Sequence, residues 1–63
     1  MIEVKYYYMN KSGTWMYAYA YFHKPEKALR FMYKLKNAKK MFYAGEFSCD
    51  NQYDTEYITR RFK

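Results

Sequence analysis

Sixty-three residues make a single domain over 1–63, and a chain this short buries only about 60% of the surface its unfolded form exposes. Domains of this size often need a disulfide, a metal or a partner subunit, yet Cys49 is the only cysteine and His23 the only histidine, which excludes an internal disulfide and a structural zinc site. The net charge of +6 is uneven, with nine Lys and Arg against two acids before Glu46 and three against four from Glu46 onward. An excess of this kind speaks for solubility and for attraction to anionic surfaces, not for a particular role.

The first two elements read as strands. Residues 2–9, IEVKYYYM, and 14–22, TWMYAYAYF, are rich in β-branched and aromatic types. Between them lies Asn10-Lys11-Ser12-Gly13, with Asn at the favoured first position of a type I turn and Gly at the fourth. A type I turn followed by a left-handed Gly is the usual three-residue hairpin loop. It pairs Met9 with Trp15 and places Ile2, Val4, Tyr6, Tyr8, Met16, Ala18, Ala20 and Phe22 on one face. Glu3, Lys5, Tyr7, Met9, Trp15, Tyr17, Tyr19 and Tyr21 fall on the other, which carries both charges of the first strand and is therefore expected to meet water. A four-residue loop is the competing solution. It slips the second strand by one place, exchanging the faces and sending Trp15, Tyr17, Tyr19 and Tyr21 into the core.

The stretch HKPEKALRFMYKLKNAKK changes period. Pro25 suits a first helical position, and Glu26 suits the positive end of the helix dipole. Ala28, Phe31, Met32 and Leu35 recur at helical spacing as an apolar stripe, with Lys27, Arg30 and Lys34 opposite. MFYAGEFSC and YDTEYITRRF read as two further strands joined at Asp50-Asn51-Gln52, although Tyr53, Tyr57 and Ile58 would also line a short helix. The expected fold is α+β, ββαββ, with a four-stranded, mostly antiparallel sheet and one helix on one face.

An outward row of Tyr7, Trp15, Tyr17, Tyr19 and Tyr21 is the residue class enriched at protein interfaces. The expected function is therefore a non-enzymatic interaction module, using this face for self-association, as in a homodimer, or for another protein. Nucleic acid is the alternative partner, with the sheet rings stacking bases and Lys5, Lys39, Lys40, Arg60 and Arg61 holding phosphates. The segment KMFYAGEF lacks the ordered RNP1 pattern, and the basic helix stripe falls across the molecule from the rings.

Catalytic chemistry has little to stand on. No acid neighbours His23 in sequence to orient it, Gly13 and Gly45 lie too far apart for a phosphate loop, and Asp50, Asp54 and Glu56 lack the spacing of a calcium loop. No cofactor or metal is expected. The longest apolar run, Trp15–Phe22, falls far short of the ~20 residues of a membrane span, so no membrane partner is expected. The free thiol and the charged start of the chain fit a cytoplasmic location.

Overall fold

The computed structural model describes residues 1–62. In chain order it contains β1 (Ile2–Met9), β2 (Trp15–Phe22), α1 (Pro25–Asn37), β3 (Met41–Cys49) and α2 (Gln52–Arg61). The sheet is antiparallel throughout, in the order β2-β1-β3. The α+β class is as expected, but the sheet has three strands rather than four, and the last segment is a helix rather than a strand.

That correction has a local cause. Asn51, read from sequence as part of a hairpin turn, is instead the N-cap of α2: its side-chain oxygen accepts the Asp54 backbone N–H at 2.9 Å. An N-cap asparagine satisfies a donor that the first helical turn leaves unpaired. Gln52 and Glu56, one turn apart, hydrogen-bond at 3.1 Å, and Arg60 approaches Glu56 at 3.8 Å. Ile58 is the buried residue of the helix.

The first hairpin has the three-residue loop. Met9 lies opposite Trp15, and the pairs run without interruption to Ile2 opposite Phe22. Asn10 N–H donates to the Thr14 carbonyl at 2.9 Å, and Gly13 N–H donates to the Asn10 carbonyl at 3.0 Å. The Asn10 side chain also accepts from the backbone N–H groups of Ser12 and Thr14, so one residue organises the whole turn. Gly13 sits at φ +80°, a region where a Cβ meets its own backbone at a cost of about 1–2 kcal/mol. Gly13→Ala is thus expected to lower stability by about 1–2 kcal/mol, read as a shift in the denaturant midpoint, although the space around it is open.

Both helices pack on the same side of the sheet. The core consists of Ile2 and Val4 from β1, Ala28, Met32 and Leu35 from α1, and Ile58 from α2, all fully buried or nearly so. Tyr6, Phe22, Phe31, Tyr43, Phe47 and Phe62 close around it. The expected α1 stripe therefore does face the sheet, and Lys27, Arg30 and Lys34 are exposed. Tyr33 ties the helices together by donating its hydroxyl to the Arg61 carbonyl.

The 13 residues of α1 span about 20 Å at 1.5 Å per residue, whereas the molecule is 39 Å long. The turn end of the β1–β2 hairpin accordingly runs past the helices. Met16, on the helix side by parity, is exposed for that reason.

Candidate functional site: the open aromatic face of the sheet

Strand parity decides which rings are left outside. In β1 and β2 the odd-numbered residues point away from the helices, and Trp15, Tyr17, Tyr19 and Tyr21 are exposed, from 42% for Trp15 to 57% for Tyr21. Tyr7 lies opposite Tyr17 on the central strand and is half-buried by its neighbours. The five residues expected from sequence to share a face do share it.

A sixth ring joins them. Phe42 of β3 pairs with Tyr7 across the sheet and is exposed. It stacks on Tyr7 with centroids 5.0 Å apart and meets Trp15 edge-on at the same distance. Tyr7 in turn contacts Tyr17 at 5.0 Å, and Tyr17 contacts Tyr19 at 5.3 Å. The result is a continuous chain, Trp15–Phe42–Tyr7–Tyr17–Tyr19, crossing all three strands. Aromatic pairs at such separations contribute about 0.5–1.5 kcal/mol each beyond their burial, so the face is a mutually braced surface rather than a set of loose rings.

Phe42 was not singled out from sequence because the parity of β3 is hidden by an irregularity. Tyr6 pairs with Tyr43 and Val4 with Phe47, so residues 44–46 together lie opposite Lys5. Gly45, at φ +84°, makes this bulge possible. The bulge brings Glu46 to Lys5, whose ammonium donates to the carboxylate at 2.7 Å. The alternation of Met41, Phe42 and Tyr43 was readable, but which of them faced outward depended on pairing with β1.

The charged groups of the face are thereby engaged. Lys5 is ion-paired to Glu46, and that hydrogen bond holds its ammonium above the ordinary lysine range. The Tyr21 hydroxyl is hydrogen-bonded to Glu3, which raises its phenol, with loss of water around it adding to the effect. Tyr17 is raised chiefly by loss of surrounding water, partly opposed by nearby Lys5. On the helix side, burial raises Tyr43.

These four shifts act in the same direction on stability. Each group holds its proton more firmly in the folded chain, so its contribution is complete below the unfolded value, near 10.0 for the phenols and 10.5 for Lys5. It is lost as pH rises through the folded value. Stability is thus expected to fall with pH above about 10, and phenolate absorbance to lag behind that of the denatured chain in the same titration. Coincident titration curves would contradict this.

The remaining cations expected for a phosphate-binding role are dispersed. Lys39 and Lys40 precede β3, and Arg60 and Arg61 lie in the last turn of α2. Arg61 is engaged with Tyr57, its guanidinium 3.8 Å from the ring centroid. Only Lys5 of that set lies on the open face, with Glu3 and Glu46 beside it. His23 is exposed just before α1, and Cys49 is a free, partly buried thiol at the end of β3.

Among the described residues no group of His, Cys, Asp and Glu is placed to hold a metal ion, and no helix is long and apolar enough to cross a membrane. No family model matches the chain, and neither a curated protein nor a solved structure is similar enough to it to indicate kinship.

Proposed function

We propose that this protein is a small, non-enzymatic interaction module whose open sheet face makes protein–protein contacts. The observation that carries the reading is the unbroken chain of rings Trp15–Phe42–Tyr7–Tyr17–Tyr19, with Tyr21 beyond it, on the side without helices. Rings of this class present about 150–250 Å² each. At roughly half exposure, the five most open sum to about 500 Å², near the upper end of the largest apolar patch on a typical monomer. The whole surface of the described chain is 4727 Å², so about a tenth of it is one aromatic patch. Its ionic groups are already paired or hydrogen-bonded within the chain, leaving apolar contact as the principal attraction offered to a partner.

Sedimentation at micromolar concentration, in low and in moderate salt, tests this against nucleic-acid binding. The expected result is an apparent mass that rises with concentration and rises further with salt, because salt screens the mutual repulsion of chains carrying +6. Complexes with short single strands would instead weaken steeply with salt as phosphate neutralisation is lost. A chain that stays monomeric, and forms a salt-sensitive complex with single strands, would overturn the reading.

A further inference from the structure

The same strand that carries four of the exposed rings also has a free backbone edge. In β1 and β2 the even-numbered residues hydrogen-bond to each other, a parity set by the Asn10–Thr14 bond and the uninterrupted register. The odd-numbered residues of β1 bond to β3, beginning with Met9 N–H to the Lys40 carbonyl at 2.9 Å. Among the described residues no further strand lies beyond β2, so the N–H and C=O groups of Trp15, Tyr17, Tyr19 and Tyr21 point outward without a ladder partner.

Exposed edges of sheets are ordinarily blunted by Lys, Pro, a bulge or an inward charge. The edge formed by β3 carries such devices, the bulge at Gly45 and the charge of Glu46. The edge formed by β2 carries none: Trp15–Phe22 holds no charge, no proline, no glycine and no break in register over eight residues.

The geometry points to a second copy of this chain as the occupant, paired antiparallel β2 to β2 so that two three-stranded sheets become one of six strands. This deepens, and rests on, the reading of the aromatic row as a protein-binding surface. A two-fold axis at Ala18 sets Trp15 opposite Tyr21 and Tyr17 opposite Tyr19 of the second copy. Each of these pairs exchanges backbone hydrogen bonds and sets ring against ring on the open face.

Three observations favour this occupant. The strand is complementary to itself under the two-fold and carries no charge over Trp15–Phe22, so the paired segment sets no like charges opposite one another; Lys27, Arg30 and Lys34 of α1 flank it only at its Phe22 end. The antiparallel arrangement sets the uncovered hairpin end of one copy beside the helix-covered end of the other, with exposed Met16 opposite Ala20. The ring patch alone, at about 500 Å², falls short of the ~800 Å² per partner of a standard interface, and edge pairing adds a row of backbone hydrogen bonds while setting the β2 rings of the two copies side by side on one face.

Amide hydrogen exchange and sedimentation on the same samples test the pairing. The Tyr17 and Tyr19 amides should exchange freely in dilute solution and slow at least about tenfold as dimer forms, while the Ala18 amide, bonded to β1, is slow throughout. Tyr19→Pro removes an outward N–H without touching the β1 ladder. It should weaken the dimer at least about tenfold more than Tyr19→Thr, which loses the same ring but keeps the N–H. Should the proline variant fail to fold, the exchange of the parent chain decides alone. A dimer whose Tyr17 and Tyr19 amides still exchange freely would overturn edge pairing while leaving the aromatic row as the contact. A monomer at every concentration would overturn the second copy as occupant and leave the row to a different protein.

Discussion

Ile58→Ala is expected to cost about 2–5 kcal/mol of folding stability, the range for truncating a fully buried aliphatic side chain whose site does not collapse. Ile58 is completely buried, the one fully buried residue of α2, and belongs to the core cluster formed with Ile2, Val4, Ala28, Met32 and Leu35. A hydrophobic core of this size rarely supplies more than about 3–5 kcal/mol in total, so the loss consumes most of the margin. The expected readout is a partly unfolded population at room temperature, seen by circular dichroism and as a large drop in denaturant midpoint. Thr59→Ala, one residue on and exposed, should shift the midpoint by no more than about 0.5 kcal/mol. Equal, small effects of the two would mean that α2 is not docked as described.

Trp15→Ala is expected to act on association rather than on folding. Trp15 is 42% exposed, meets Phe42 edge-on and lies opposite Met9, outside the core cluster, so little core packing is lost. Tryptophans are enriched among interface hot spots, whose truncation costs about 2 kcal/mol or more, a rise in Kd of about thirtyfold. Sedimentation of the variant beside the parent chain measures that ratio, and denaturation of the dilute monomer measures the cost to folding. A variant that associates as well as the parent would remove Trp15 from the interface. One that simply unfolds would place the indole in the structural core.

Much of this face was legible because it rests on local chemistry. Asn10 and Gly13 specify the three-residue loop, the loop specifies the register, and the period of two then assigns every residue of β1 and β2 to a face. The α1 stripe was equally local, since Ala28, Met32 and Leu35 follow helical spacing and were found buried. Two features were not local. Phe42 joins the face only through the pairing of β3 with β1, and the bulge at Gly45 interrupts the alternation from which a face would be read. In α2 the competition was between two uses of the same residues. Asn51 suits a turn as well as an N-cap, and Tyr53, Tyr57 and Ile58 suit a strand or a helix. The choice went to the arrangement that packs α2 against α1 and β3 and buries Ile58 in the core.

The helix in place of a fourth strand matters for the site. It leaves β1 as the central strand and β2 as an edge, so the row of rings and a free backbone lie on the same element. A four-stranded sheet could have covered that edge.

Quenching of Trp15 fluorescence by a neutral solute is the most direct test that the row of rings faces outward and is covered only by another protein surface. It is the chain's single tryptophan, so the signal has one source. The account predicts ready quenching in dilute solution and progressive protection as the concentration rises into the range where sedimentation detects association. An indole already shielded in the dilute monomer, or one quenched equally at every concentration through that range, would contradict it.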